Sequence, residues 1–288
     1  MTSPLSAYLR LDGALRAFAT AASTQSQAHI RPTHSYVATR LVIEGGFRPD
    51  EITPHPPLRC EKKRGGPQLL LDESVETKKE LTLAGGLKSK DVDVVVCKDA
   101  LGPVLCVSVK GTGNAFRNLT NRMEEAIGDC TNLHVMYPGI VYGFLHLLRA
   151  NREGQPGIKA NDICITADAQ PVAPVLRYHN LLADLAGRTF VRNDLTRYEA
   201  IALLLIESLP ECAGAVFAGF PLDDSPLRFE SFFDSLYRVY DLRYPFRNPK
   251  IRRAERLAWD PDSPAFEEIQ RAADEDLETV LGYTPRLS

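Results

Sequence analysis

Two β-branched runs, residues 92–97 and 104–110, constrain this chain more than any other feature, because only Lys98, Asp99, Ala100, Leu101, Gly102 and Pro103 separate them. Valine-rich runs favour extended backbone and Gly-Pro ends it, so the spacing predicts two strands joined as a β-hairpin. Side chains alternate faces along a strand. Asp91, Asp93 and Val95 therefore point one way, and Cys106, Ser108 and Lys110 share a face of the second strand. A turn centred between Ala100 and Leu101 sets Asp93 opposite Ser108 and Asp91 opposite Lys110. Two aspartates beside a lysine are costly to bury without a partner or a metal. Hard carboxylate oxygens suit Mg²⁺, which keeps several waters; one such water can attack a phosphodiester while Lys110 orients or deprotonates it.

The flanks supply helices. Residues 5–22 carry Leu5, Leu9, Leu15, Phe18 and Ala22 at near-helical spacing, and residues 33–44 read as a second helix stopped by Gly45-Gly46, with Glu44 in its last turn. Residues 47–66 are a Pro-, Gly- and charge-rich excursion before a short strand at 68–71. After Lys110, Gly111-Thr112-Gly113 breaks the strand and Asn114 caps a helix running to about Gly128; a strand follows at 140–147. Beyond that the pattern predicts strands at 163–166 and 213–220 and helices at 176–185, 198–207 and 229–240. The organisation expected is an N-terminal helical segment (1–32), a core (33–150) and a C-terminal α/β continuation (151–288). The fold class is α/β, a central mixed β-sheet flanked by helices.

Asp93-Val94-Val95-Val96 followed by Ser108-Val109-Lys110 resembles the motif of the PD-(D/E)XK nucleases: an aspartate leading a hydrophobic strand, then a strand ending in an acid, any residue and lysine. The resemblance covers residues 33–147 and implies a restriction-endonuclease-like core. Ser108 departs from the motif, standing where the second acid belongs. One branch of the family, including some type II restriction enzymes, has Ser or Cys there and takes its glutamate from the following helix, 12 or 13 residues after the lysine. Here Glu124 follows Lys110 after 13 residues, 111–123. At 100° per residue, with Phe116 on the apolar face as zero, Glu124 lies about 80° away, beside the sheet, and Glu125 about 180° away, toward solvent. Arg117 on the same edge suits a scissile phosphate. The family also draws a glutamate from the helix before the sheet, which points to Glu44, with Glu76 and Glu80 as competitors. The resemblance thus implies Mg²⁺ held by Asp93 and Glu124, with Asp91 as a further ligand and Lys110 catalytic. A strand-end ion pair is the structural alternative for Asp93 and Lys110, as is a solvated charge for Glu124.

Other chemistry finds less support. The six cysteines form no CxxC pair, and the histidines, among them His34, His134, His146 and His179, have no HExxH spacing; a lone histidine is usually a core or surface residue. There is no Walker lysine, no complete GxGxxG and no GxSxG elbow. A net charge of −3 excludes a uniformly basic coat, so DNA contacts must be local. Lys62, Lys63 and Arg64 form one candidate, and the stretch 243–256, with Arg252 and Arg253, another, which can equally pair with the acidic tail. At 44% hydrophobic residues the chain can build a core, yet no run has the length of a membrane span and no signal segment opens it, predicting a cytoplasmic protein.

The function expected is a Mg²⁺-dependent endodeoxyribonuclease acting on double-stranded DNA, of site-specific type II restriction character, with a homodimer implied by double-strand cutting. The alternatives are a partner-activated defence or repair nuclease of low specificity, and an inactive DNA-binding module of the same fold.

Overall fold

The valine-rich hairpin forms the middle of the molecule. The computed structural model describes residues 6–22, 27–72, 74, 80–114, 116–245 and 254–288. In chain order the strands are β1 (Ile52–Thr53), β2 (Leu58–Lys63), β3 (Gly66–Leu71), β4 (Leu81–Leu83), β5 (Lys90–Val92), β6 (Val94–Lys98), β7 (Gly102–Thr112), β8 (Val141–Arg149) and β9 (Ala200–Ile206). The central sheet has the order β1-β6-β7-β8-β9, antiparallel from β1 to β7 and parallel from β7 to β9, a mixed sheet as expected. The excursion before residue 68 is more ordered than its Pro and Gly content predicts. It holds β1, and β2 pairs with β3 in a separate hairpin, while β4 and β5 make a third small ribbon.

The helices are α1 (Ser6–Leu9), α2 (Leu11–Thr20), α3 (Arg31–Ile43), α4 (Leu119–Met136), α5 (Ala173–Leu185), α6 (Phe232–Arg243), α7 (Pro264–Ala273) and α8 (Leu277–Leu281). Val37 and Leu41 of α3 join Val94 and Val107 in one core cluster, whereas Met123 and Ala126 of α4 join Val95 and Cys106 in another, so α3 and α4 cover opposite faces. Phe18, Trp259 and Leu281 belong to the α3 cluster, so α2, α8 and the segment at Trp259 pack on the same core as α3.

The predicted helix at 198–207 is strand β9, buried along its whole length. Ala-Ile-Ala-Leu-Leu-Leu-Ile is apolar on every face, so periodicity cannot separate helix from strand there; lying beside β8 it is covered on both sides, which a parallel strand requires. The strands predicted at 213–220 and 163–166 are irregular segments with isolated bridges at Val216 and Ile165. Among the described residues no helix is long and apolar enough to cross a membrane.

Candidate active site

Antiparallel pairing of β6 with β7 runs through Val96↔Leu105, Val95↔Cys106 and Val94↔Val107, so Asp93, one residue before β6, comes abreast of Ser108. A bulge between Val96 and Cys97 shifts the register only on the turn side, where Ala100 and Gly102 adopt positive φ. Asp93 bends out of the strand and accepts a hydrogen bond at Oδ2 from the Val109 N–H at 2.8 Å. Its Oδ1 faces His34 Nε2, near the start of α3, at 3.7 Å. Burial pushes the Asp93 carboxyl up to about 6; the Val109 N–H, Lys110 and Lys90 oppose this and Asp129 reinforces it. Burial takes His34 down to about 4 against the opposing charge of Glu80, with Arg31, Lys110 and His29 adding to the depression.

Lys110 points to the α4 side of the sheet, and its Nζ donates to Glu125 Oε1 at 3.0 Å. Burial alone would lower the lysine pKa, but the hydrogen bond and charge of Glu125, with Asp93 and Asp129, outweigh it and hold the ammonium above its ordinary value. Lys110 is therefore a cation near neutral pH, which suits the first of the two expected roles, orienting water, better than deprotonating it. Asp129, one turn beyond Glu125, is buried and binds Lys90 Nζ at 2.6 Å. Lys110, Arg122, Glu125, Asp129 and His146 line one narrow cleft.

Ser108 is buried, its hydroxyl 2.8 Å from that of Tyr142, so it fills the second-acid position as a core hydrogen-bonding group. Asp91 does not meet Lys110. The chain bends at Asp93, the period of two is interrupted, and β5 pairs with β4, where Asp91 accepts a hydrogen bond from Thr82 at 2.5 Å. Glu124 and Glu125 are both exposed, and it is Glu125, expected to face solvent, that meets Lys110. Phe116 lies in a 3-10 turn ahead of α4, outside its 100° periodicity, and so does not set the phase of the helix. Phased on the buried stripe Leu119, Met123, Ala126 and Cys130, Glu125 falls on the edge of Arg122 and Asp129 and Glu124 on the opposite edge.

Glu44 caps the C-terminal end of α3, accepting from Arg40 at 2.7 and 2.8 Å and from the Tyr237 hydroxyl at 3.0 Å. Ten residues of helix put it roughly 15 Å along the axis from His34, the α3 residue that does reach Asp93. Glu80 acts on His34, and its Oε1 is buried without a hydrogen-bond partner. Glu76, Arg252 and Arg253 lie outside the described residues, as does the side chain of Arg117. Lys62 and Lys63 end β2 and Arg64 stands in the turn; all three are exposed, on a hairpin anchored to the C-terminal segment through Gln68–Asp260. Lys63 pairs with Glu61 at 3.3 Å. At the two described ends of the basic stretch, Arg243 binds Glu199 and backbone carbonyls, and Arg256 binds Asp241 and Gly45 O; these arginines pair inward and not with the tail.

His34, Glu125, Asp129 and Lys90 are thus members of the cluster that sequence reasoning missed. Glu125 and Asp129 were accessible from an i, i+4 count on the α4 stripe; His34 had no local signal. The chain matches no protein-family model, no curated protein and no solved structure.

The donor set is compatible with a hard dication in part. Asp93 Oδ1 has no hydrogen-bond donor, and Glu80 Oε1 and His34 Nε2 are buried without partners. Among the described residues, however, no three His, Cys, Asp or Glu side chains approach closely enough to hold a metal by themselves, so water must complete any coordination shell.

Proposed function

We propose that the chain is a divalent-metal-dependent endodeoxyribonuclease of the PD-(D/E)XK type, hydrolysing phosphodiester bonds of double-stranded DNA. The observation that carries this reading is the meeting of three groups at the open end of the β6–β7 hairpin. Asp93 stands abreast of Ser108 with one free oxygen, Lys110 is held protonated, and the α4 carboxylates Glu125 and Asp129 close the far side. A mixed sheet covered by α3 and α4 on opposite faces, with β8 parallel to β7, supports it further, since the motif resemblance implies a mixed-sheet core flanked by helices.

A dication such as Mg²⁺, held in part by Asp93, would neutralise phosphate charge and acidify a bound water. Asp93 offers Oδ1 while the Val109 N–H fixes Oδ2. Lys110 presents a permanent positive charge to the pentavalent phosphate, positioned by Glu125. Site-specific cutting as a homodimer extends this reading. A second reading, an inactive DNA-binding module, is favoured by one observation: the second-acid place is occupied by Ser108, locked to Tyr142 inside the core.

Incubation of mixed plasmid and phage DNA with Mg²⁺ or Mn²⁺ separates them. Discrete fragments lost in Asp93→Ala and Lys110→Ala support the site-specific enzyme, and smearing lost in the same variants a nuclease of low specificity. DNA retention without cutting by any preparation supports the inactive module.

A further inference from the structure

We propose that His34 is a metal ligand, its Nε2 and Asp93 Oδ1 forming a mixed nitrogen–oxygen seat that favours Mn²⁺ or a similar transition-metal dication over Mg²⁺. This rests on the reading of the site as metal-dependent. His34 is 2% exposed, yet Nε2 has no hydrogen-bond partner. At 3.7 Å its distance to Asp93 Oδ1 exceeds that of a hydrogen bond. A buried ring nitrogen that faces a carboxylate oxygen without bonding to it is unfavourable, since it forfeits solvation for nothing. A shared cation removes that penalty.

The gap has a suitable size. Two donors on an octahedral ion with bonds of about 2.1 Å stand about 3.0 Å apart when adjacent and about 4.2 Å apart when opposite. The observed separation falls between, within reach of a small side-chain rotation. Neutral imidazole is the form that ligates, and burial favours it here. Imidazole binds Mn²⁺ and later transition metals more readily than Mg²⁺, which prefers oxygen. Glu80, whose unpartnered Oε1 is buried and whose charge acts on His34, can complete the seat through a bridging water. Arg31, Lys110 and His29 also face His34 and limit the net negative charge the seat can carry.

The test is electron spin echo spectroscopy of the full chain loaded with Mn²⁺ alone, with Mn²⁺ and Mg²⁺ affinities measured by titration calorimetry. Directly bound imidazole gives a ¹⁴N modulation. The modulation should be present in the wild type and absent in His34→Gln and Asp93→Asn. His34→Gln should weaken Mn²⁺ binding about tenfold or more, and Mg²⁺ binding several times less. Bound Mn²⁺ with no nitrogen modulation, lost in Asp93→Asn but unchanged in His34→Gln, overturns the role of His34 and leaves the nuclease reading standing. No bound Mn²⁺ or Mg²⁺ overturns both. The wild-type spectrum decides even where a variant fails to fold.

Discussion

Lys110 of β7 and Glu125 of α4 lie 3.0 Å apart, joining the C-terminal end of the hairpin strand to the helix that follows it. The contact holds the lysine head on the α4 side of the sheet, and under the proposed reading Glu125, adjacent to the residue that motif spacing selects, is the helix acid of the site. Removing the carboxylate should therefore free the lysine. Glu125→Gln is expected to lower DNA cleavage about tenfold or more and to shift its alkaline limb to lower pH, whereas Glu124→Gln changes either less than about twofold. Because the Glu125 side chain is 47% exposed, melting of both variants should match the wild type within about 0.5 kcal/mol. Equal cleavage by the two variants would refute the assignment, and pH–rate profiles on plasmid DNA provide the measurement.

Glu44 belongs to a different network. It accepts two hydrogen bonds from Arg40, whose guanidinium also lies over the rings of Phe233 and Tyr283 at 4.2 and 4.5 Å. Glu44→Gln should leave cleavage and metal affinity unchanged while costing about 2 kcal/mol of stability, the scale of a hydrogen bond to a charged group. Denaturant titration beside the cleavage assay separates the effects.

Glu199 is fully buried and accepts from Arg188 and Arg243, each at 2.6 Å, and from the Tyr142 N–H at 2.7 Å, with His134 Nε2 at 3.3 Å. Glu199→Ala strands two guanidinium groups and should cost about 3–5 kcal/mol. Urea unfolding checks this; a loss below about 1 kcal/mol would mean that water reaches the arginines.

His146 lies in register with Lys110, is 1% exposed, and has neither ring nitrogen hydrogen-bonded. Burial, aided by the charges of Arg122 and Lys110, takes it down to about 3 from 6.5. Between those values the unfolded chain binds a proton that the folded chain refuses, so stability is intact above pH 6.5 and is lost as pH falls. His146→Phe removes that dependence. From pH 7 to pH 5 the wild type should lose about 2 kcal/mol more than the variant. Denaturation midpoints at the two pH values supply the comparison, and parallel losses would contradict a neutral buried imidazole.

The β-branched runs around residues 98–103 determined the hairpin, because local propensity and turn chemistry suffice to set an antiparallel register, and with it the placement of Asp93 abreast of Ser108. The Gly45-Gly46 stop after α3 and the apolar stripe of α4 determined two helices flanking the hairpin. Tertiary structure decided the rest. It turned residues 200–206 into a strand, because an all-apolar segment has no preferred period and only a place beside β8 selects one. It put Glu125, and not Glu124, against Lys110, because the phase of α4 begins after a 3-10 turn that sequence periodicity does not reveal. It sent Asp91 to Thr82 through a bend at Asp93. And it brought His34 within 3.7 Å of Asp93, a contact between residues 59 positions apart for which no local pattern exists.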